Sequence, residues 1–293
     1  VTWMSRSDWT GTIPTAPAQL TANETLAADL AFTQYDGSLA DSVEMPTLGA
    51  KNGLTLASMI GKDFDDPEWN TLLDQLTYDE MVNTITLGFH NTAAAASIGK
   101  TATKDENGPQ GLTAALTGGA SAMCYTSEDV MAATFNVDLI NDVGRCIGED
   151  CLAMGYSGLY GPGINMHRTA YSGRNFEYYA EDPFIAGTIC AAEVQGIQSK
   201  GVYVYLKHVA LNDSETSRRG VNTWLNEQTA REIYLEVADK AITDGGAWDV
   251  MTGFNRWGAT WCGANQNLLT GFLREELGMR GMCITDFSGS SQY

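Results

Sequence analysis

Three polar residues end two apolar runs in the second half of the chain. Lys207 and His208 close the run GVYVYLKH, and Asp286 closes GMCITD. A lysine and an imidazole fixed at the rim of a packed interior supply the hydrogen-bond donors that bind neutral polyols such as sugars, and a carboxylate beside them can act as a nucleophile. Alone, however, Asp286 is better explained as a helix N-cap. The Lys–His pair is explained equally well by a surface lysine beside a hydrogen-bonded core imidazole.

Two loops add arginines to this set. The segment GRNFEYYAEDP, at 173–183, places Arg174 among three large aromatic residues and several carboxylates. A surface loop rarely carries so many aromatic side chains unless it buries them or offers them to a ligand. The segment NDSETSRRGVNTW, at 212–224, contributes Arg218 and Arg219. A structural ion pair at Arg174 and solvated charge at the two later arginines are the alternatives to a binding site.

The spacing of the apolar runs indicates the elements that position these residues. Short runs at 201–208, 248–256 and 281–286 alternate with amphipathic helical segments. This pattern predicts a parallel α/β fold, and an eight-unit barrel of about 250 residues is a natural size for it. In such a barrel the polar residues at the carboxyl ends of the strands share one face. A doubly wound open sheet would give the same local pattern, but the segment GLYGPG at 158–163, interpreted as a glycine-rich turn, lacks the spacing of a dinucleotide site.

The first part of the chain differs in character from the rest. Residues 1–62 are polar and rich in Thr, Ala and Gly, and we interpret them as a linker or N-terminal arm. The apolar helical pattern begins with DDPEWNTLLDQLTYDEM, so residues 63–293 are predicted to form the barrel domain.

Bulk composition excludes several classes of partner. The formal charge of −19 disfavours nucleic acid and anionic membrane surfaces, and the sequence has no apolar stretch of transmembrane length. Six scattered cysteines and three histidines predict neither a metal site nor a cofactor site. The cysteines in apolar runs favour a reducing compartment, and no signal peptide is visible, so a cytoplasmic location is expected.

Taken together and in order, seven motifs resemble glycoside hydrolase family 3, of the β-glucosidase and β-xylosidase type. The resemblance covers residues 63–289. The motifs are NGPQGL, GPGINMHR, SGRNFEYYAEDP, KHVALNDSETSRRG, VMTGFNR, WCGANQNLLTGFLREELG and CITDFSG.

The resemblance implies a retaining glycosidase built on a TIM-like (β/α)8 barrel that uses two carboxylates. It matches Asp286 to the catalytic nucleophile. It matches the following residues to side chains that bind the sugar: Asn107, Arg174, Lys207, His208, Arg218, Met251, Phe254 and Phe287. The implied substrate is a β-glucoside, a β-xyloside or a short β-linked oligosaccharide.

Three positions depart from the family pattern. Asn107 replaces an aspartate, which keeps a hydrogen bond but loses the stronger charge-assisted one. Phe254 replaces a tyrosine, and Phe287 replaces a tryptophan. These changes make the preference for glucose less secure without implying inactivity.

The second carboxylate has no matching motif in this sequence. The segment KHVALNDSET lacks the motif that carries the acid/base group in the family's hexosaminidase branch, whereas the glucosidase branch supplies a glutamate from an α/β-sandwich domain. We therefore expect the barrel to be incomplete at its C-terminal end, the sandwich domain to precede it in the parent protein, and the isolated chain to be poorly active. A non-catalytic sugar-binding barrel is the alternative, and a barrel enzyme acting on phosphorylated metabolites is disfavoured by the acidic charge.

Overall fold

A computed structural model describes residues 23–31, 38, 42–114 and 116–287. The chain divides into two compact units, Val1–Val43 and Glu44–Tyr293. In the first unit, helix α1 (Glu24–Leu30) begins after Asn23, whose Oδ1 accepts a hydrogen bond from the backbone N–H of Leu26 at 2.8 Å. This side chain satisfies one of the amide groups that a helix leaves unpaired at its N-terminus.

The described part of the second unit contains nine strands. They are β1 (Asn91–Thr92), β2 (Thr103–Asn107), β3 (Gly158–Gly163), β4 (Tyr203–Val209), β5 (Asn222–Thr223), β6 (Asp249–Thr252), β7 (Arg256–Trp257), β8 (Thr260–Trp261) and β9 (Cys283–Thr285). Six of them form one sheet in the order β1-β2-β3-β4-β6-β9. Strand β1 is antiparallel to β2, and every other pair in that sheet is parallel. Strands β5, β7 and β8 form a small second sheet in the loops that follow β4 and β6.

Helices connect successive parallel strands. The α-helices of the second unit are α2 (Glu68–Leu73), α3 (Tyr78–Thr86), α4 (Glu128–Ala133), α5 (Val137–Ala153), α6 (Pro183–Gln198), α7 (Glu227–Thr229) and α8 (Glu236–Thr243). Short 3₁₀ turns lie at Leu56–Met59, Ala96–Ile98, Asn175–Glu177 and Cys262–Ala264, and π-helical segments at Ala230–Tyr234 and Asn267–Glu276.

The main sheet has one helix-covered face and one polar, aromatic face. Val204, Leu206 and Val250 belong to the large apolar core together with residues of α5, α6 and α8. Tyr205 and Met251 alternate with them along β4 and β6 and join a separate aromatic cluster. The alternation follows from the two-residue period of a strand, and it places tyrosines and carboxylates on the face away from the helices.

Strand β3 corrects the sequence interpretation of residues 158–163. They form a fully buried strand, not a turn. Its glycines permit close approach of neighbouring chains: a Cβ on Gly158 would lie 2.2 Å from Cε2 of Tyr203, and one on Gly163 would lie 2.1 Å from the carbonyl oxygen of Glu177. The glycines therefore serve packing here, which a propensity argument cannot anticipate.

The predicted α/β alternation is confirmed, whereas the complete barrel is not. The described strands form a curled half-barrel sheet, and a closed set of eight strands is not seen among them. Residues 44–62 lie in the same compact unit as the sheet, and Met59 is buried beside Leu72 in a small core of its own. The interpretation of residues 1–62 as a linker stays a prediction.

Candidate active site

The carboxyl ends of the parallel strands bring the predicted polar residues to one edge of the sheet. Asn107 ends β2, Lys207 and His208 lie near the end of β4, and Asp286 directly follows β9. Arg174 lies in the segment between β3 and α6. Because parallel strands end at the same edge, these residues meet although 179 positions separate the first from the last (286 − 107).

One carboxylate oxygen of Asp286 accepts a hydrogen bond, and the other is buried without one among the described residues. Its Oδ1 accepts a hydrogen bond from the backbone N–H of Phe287 at 2.6 Å. Its Oδ2 lies 3.3 Å from Nε2 of His208 and receives no hydrogen bond in the described structure. The backbone N–H of Asp286 donates to the carbonyl of Thr252 at 3.1 Å, which fixes the residue at the end of the sheet.

The tautomer of His208 follows from Asn165. The Nδ2 of Asn165 donates to the carbonyl of His208, so its Oδ1 is the acceptor for the backbone N–H of His208 at 2.9 Å and for Nδ1 at 3.2 Å. Nδ1 therefore carries the proton, and Nε2 accepts from Nη1 of Arg174 at 3.2 Å. Burial, followed by the positive charges of Arg174, Lys207 and Arg218, holds the pKa of His208 well below its usual value. A neutral His208 protonated at Nδ1 donates nothing to Asp286 and leaves Oδ2 with its lone pairs available.

Lys207 is buried at the same edge of the sheet. Its Nζ donates to Oδ1 of Asn107 at 2.5 Å and lies 3.8 Å from Oε2 of Glu177. Burial lowers the pKa of Lys207 to about 8, although the negative charges of Glu177 and Asp286 act in the opposite direction. The lysine is thus a cation at neutral pH and close to losing its proton under mildly alkaline conditions.

Arg174 links two carboxylates and the imidazole. It binds Glu177 through Nε at 3.2 Å and Nη2 at 2.7 Å, and its Nη1 lies 3.7 Å from Glu215. Burial alone would raise the pKa of Glu177, but the charges of Lys207 and Arg174 outweigh burial and hold that pKa below its usual range. Glu177 is therefore an anion whose role in the site is to orient two cations.

Arg218 lies at the side of this cluster. Its Nη1 is 3.0 Å from Oε2 of Glu215, and its guanidinium covers the ring of Phe254 at 4.9 Å. Arg219 covers the same ring at 5.5 Å. Phe254 is only 1% exposed, so two cation–π contacts occupy the ring that was predicted to face a sugar. Its contact with a ligand stays a prediction.

Met251 and Phe287 occupy opposite surroundings. Met251 is buried with Tyr160 and Tyr205 beneath the site. Phe287 is 51% exposed, and its ring meets the edge of Phe89 with centroids 5.5 Å apart. Phe287 thus offers an exposed aromatic surface next to Asp286, whereas Met251 is buried, and the contact of either residue with a ligand stays a prediction.

Sequence reasoning did not single out three residues that complete the site: Phe89, Asn165 and Glu177. Asn165 and Glu177 lie inside the motifs GPGINMHR and SGRNFEYYAEDP, so the sequence marked their segments but not the residues that they contact. Asn165 binds His208, 43 positions away, and Glu177, besides its bonds to Arg174, lies 3.8 Å from Lys207, 30 positions away. Only the fold reveals such a pairing.

The described residues contain no group of three or more His, Cys, Asp or Glu side chains that would hold a metal ion. The described helices likewise include none with the length and apolar character needed to cross a bilayer. Both findings concern only the part of the chain that the structure describes.

Comparison with known proteins gives a consistent result. Residues 79–292 match the model of the glycosyl hydrolase family 3 N terminal domain. A β-glucosidase of Rhizobium radiobacter is 35% identical over 222 residues, which are 75% of this chain and 27% of the relative. The solved structure of β-glucosidase 3B from Thermotoga neapolitana in complex with α-D-glucose is 32% identical with a TM-score of 0.68, covering 75% of this chain and 34% of that one. A β-glucosidase from Paenibacillus barengoltzii is 28% identical with a TM-score of 0.73, covering 88% of this chain and 29% of that one.

The extent of these matches identifies the family and shows how much of each relative the chain covers. The match to the family model extends over most of the chain, so the chain belongs to glycosyl hydrolase family 3. The chain spans 27% to 30% of the length of the first three curated relatives that it matches.

Proposed function

We propose that this member of glycosyl hydrolase family 3 carries the nucleophile and the sugar-binding side chains of a retaining β-glycosidase. The substrate would be a terminal β-D-glucosyl or β-xylosyl residue of a glycoside or a short β-linked oligosaccharide. The observation that carries the proposal is Oδ2 of Asp286, which receives no hydrogen bond from the described residues and lies beside a neutral His208, within the field of the buried Lys207 and the partly buried Arg174.

The first step uses this unpaired oxygen. Oδ2 of Asp286 attacks the anomeric carbon, the bond from that carbon to the leaving-group oxygen breaks, and a general acid gives its proton to that oxygen. Water then attacks the same carbon, releases Asp286 and returns a proton to the general acid, which acts as a base. Two displacements at one carbon retain the β configuration.

The buried donors fit a role in sugar binding. Lys207 and Arg174 project fixed N–H groups, and Asn107 and Glu177 hold those cations in place. Hydrogen bonds from charged donors to sugar hydroxyls are stronger than neutral ones, and here their donors are already ordered before the sugar arrives. The exposed ring of Phe287 adds an aromatic surface next to the nucleophile.

The general acid is not assigned to the cluster around Asp286. Glu177 is held as an anion by two cations, and Glu215 is paired with Arg218 at 3.0 Å, so neither is suited to carry the proton. We propose that a glutamate from another part of the full-length protein, in an α/β-sandwich domain, supplies it. The partial coverage of the relatives is consistent with a further domain of this kind.

The choice of glucose rests on relatives. Solved structures of the Thermotoga neapolitana and Kluyveromyces marxianus β-glucosidases contain glucose. These two proteins are 32% and 31% identical to this chain, and the proposal extends their β-glucosidase activity to it. Asn107 and Phe254 are the positions at which the preference would differ.

Hydrolysis of an aryl β-glucoside by the full-length protein tests the proposal, with Asp286→Asn as the test variant and Asp142→Asn as its control. The side chain of Asp142 is 72% exposed and pairs only loosely with Arg145, at 3.7 Å. We expect kcat to fall by roughly 10⁴-fold or more in the first variant, as for removal of other catalytic nucleophiles, and to be unchanged in the second. Wild-type turnover that persists in Asp286→Asn would contradict the assignment.

A non-catalytic sugar-binding barrel is the second candidate, because Asn107 stands where the family pattern has an aspartate. Calorimetric titration of the full-length protein with glucose separates the two. Glucose binding without turnover of aryl β-glucosides or aryl β-xylosides would favour the binding protein.

A further inference from the structure

Two carboxyl groups lie fully buried in the helical layer behind the site, outside the machinery described above. Glu128 begins α4 and Glu193 lies in the middle of α6, and each is 0% exposed. Glutamate is seldom buried without a cationic partner. Here the hydrogen-bond donors that reach the pair come from the two loops that carry the sugar-binding residues.

The first loop follows β2. Gln110, three residues after Asn107, donates through Nε2 to Oε2 of Glu128. The same nitrogen lies 3.3 Å from the carbonyl oxygen of Phe176, in the segment that holds Arg174 and Glu177. Gln110 therefore connects the Asn107 turn both to the helical layer and to the arginine loop.

The second connection comes from the arginine loop itself. The hydroxyl of Tyr179 donates to Oε2 of Glu193 at 2.6 Å. Its neighbour Tyr178 is buried on the other side, with its hydroxyl 3.5 Å from Nδ1 of His208. Adjacent tyrosines thus fix the loop between Glu193 and the imidazole of His208.

Both carboxyl groups keep a second oxygen without a donor. Oε1 of Glu128 and Oε1 of Glu193 are buried and accept no hydrogen bond in the described structure. Burial raises the pKa of Glu128 well above its usual value, and the charges of Glu193 and Glu177 add to this effect. Burial likewise raises the pKa of Glu193 to about 7, against the hydrogen bond from Tyr179. The thiol of Cys190, one turn before Glu193, is also buried and has a raised pKa, so it contributes no charge at neutral pH.

We propose that Glu128 and Glu193 form a proton-holding pair that positions the two sugar-binding loops, Glu128 through Gln110 and Glu193 through Tyr179. An apolar layer disfavours a carboxylate and two like charges repel, so both groups keep their protons while the loops are in place. Loss of the proton of Glu193 adds a buried negative charge and loosens the loops. Glu128, Glu193, Gln110 and Tyr179 are positioning residues, and this role rests on the proposed sugar-binding function.

The sign of the pH dependence follows from the raised pKa of Glu193. Glu193 holds its proton below about pH 7 and loses it as the pH rises through that value. Sugar affinity should therefore be higher at pH 6 than at pH 8. Lys207 also loses its proton near pH 8, so only the difference between variants isolates the contribution of the pair.

The test compares Glu193→Gln with Glu149→Gln in the full-length protein. Glutamine accepts the hydrogen bond of Tyr179 but does not ionise, whereas Glu149 is a surface residue whose side chain is 60% exposed and pairs with Lys200. Calorimetric titration with glucose and KM for an aryl β-glucoside are measured at pH 6 and pH 8. We expect the ratio of glucose affinity at pH 6 to that at pH 8 to be at least about 3-fold smaller in Glu193→Gln than in Glu149→Gln and wild type. A change of this size corresponds to the free energy of about one hydrogen bond. Equal ratios in all three proteins would overturn the proposal.

A second variant applies if Glu193→Gln does not fold. Gln110→Met keeps the length of the side chain and removes both of its hydrogen bonds. We expect glucose affinity to fall about 3-fold to 10-fold and KM to rise to match, with kcat within about 2-fold of wild type. Unchanged glucose affinity would overturn the proposal. Because glucose binding is measured directly, an absence of turnover in the wild type would contradict the proposed hydrolysis without deciding the role of the pair.

Discussion

Lys207 donates to the neutral amide of Asn107, at the position where the family pattern noted above has an aspartate. A lysine buried without a strong anionic partner pays for desolvation with a lowered pKa, here about 8. Glu177 approaches only to 3.8 Å and is shared with Arg174. The charge of this donor is therefore sensitive to pH in the range where most enzymes are assayed.

The substitution Asn107→Asp should restore a charged partner for Lys207. A carboxylate at this distance raises the pKa of the lysine above its present value of about 8, so the loss of substrate affinity at alkaline pH should move to higher pH. A hydrogen bond from a sugar hydroxyl to a carboxylate at position 107, in place of one to a neutral amide, should also lower KM at pH 7 by about 2-fold to 10-fold. The pH profile of KM for an aryl β-glucoside measures both effects.

Asn107→Leu is the matched control, because it removes the acceptor without adding charge. Its alkaline limb should move to lower pH. If the limb of Asn107→Asp coincides with that of wild type, Lys207 does not determine the alkaline dependence.

The sequence predicted the position of those site residues that lie at the ends of strands. Lys207, His208 and Asp286 each follow an apolar run, which was enough to place them at one edge of a parallel sheet. The protonation of His208 was beyond prediction, because it depends on the orientation of Asn165, 43 positions earlier. The burial of Phe254 beneath two arginines was hidden for the same reason, since all three belong to loops.

At the scale of elements, the pair of helices α5 and α6 supports the strands that present the site. They cross at glycines: a Cβ on Gly196 would lie 2.2 Å from the carbonyl oxygen of Asn141, and one on Gly144 would lie 2.3 Å from the carbonyl oxygen of Glu193. Backbone atoms cannot yield as a flexible side chain can, so the crossing admits only glycine at these positions.

Replacing Gly196 by alanine should destabilise the protein by about 1–3 kcal/mol or more, because the added methyl group forces the helices apart. Gly271 provides the control: it lies in the helical segment Asn267–Glu276 with nothing within 4 Å of an added Cβ. Gly271→Ala should be neutral or stabilising by about 0.5–1 kcal/mol, because alanine loses less backbone entropy on folding. Urea unfolding of both variants measures the difference. Equal midpoints would show that the crossing tolerates a methyl group.

Elements with periodic apolar patterns were predicted more readily than those built on glycine. Strands β4, β6 and β9 follow recognisable apolar runs, whereas β3 carries three glycines and a proline among its six residues. Two of those glycines make room for Tyr203 and for the carbonyl oxygen of Glu177, which belong to other elements. The intrinsic propensities of residues 158–163 therefore favour a turn, whereas packing against other elements stabilises a strand.

At the scale of the whole molecule, the acidic composition and the buried carboxyl groups act in the same direction. Burial raises the pKa of Asp213 and of Asp249 to about 6, and that of Glu193 to about 7. The unfolded values are near 4, so the folded state binds more protons than the unfolded state between these limits. The free energy of unfolding contributed by these groups is present at low pH and is lost as the pH rises through 6 to 7.

The thermal midpoint should therefore be several degrees higher near pH 5 than near pH 8. Below about pH 4.5 the trend reverses, because the pKa of Glu80 is lowered to about 2 by hydrogen bonds from Ser97 and Thr77 and its contribution is lost on protonation. The net charge of −19 adds self-repulsion that also weakens as the pH falls. Differential scanning calorimetry across pH 3–9 tests this, and a midpoint that rises steadily to pH 8 would contradict it.

The α/β class followed from the alternation of runs, and that part of the fold could be predicted from the sequence. Closure of a barrel could not, because it depends on register and on how strongly each strand pair twists, neither of which a single sequence encodes locally. The half-barrel nevertheless suffices to gather Asn107, Lys207, His208 and Asp286, since β2, β4 and β9 belong to one sheet and end at the same edge of it.

The central claim is that Asp286 forms a covalent bond to the sugar. Incubating the full-length protein with a 2-deoxy-2-fluoro β-glucoside that bears a good leaving group traps such an intermediate, because the fluorine slows its hydrolysis more than its formation. Peptide mass spectrometry then locates the label. The account predicts one fluoroglucosyl group on the peptide containing Asp286, and none in the Asp286→Asn variant. A label on Glu177, Glu215 or any other carboxylate of an active preparation would contradict it.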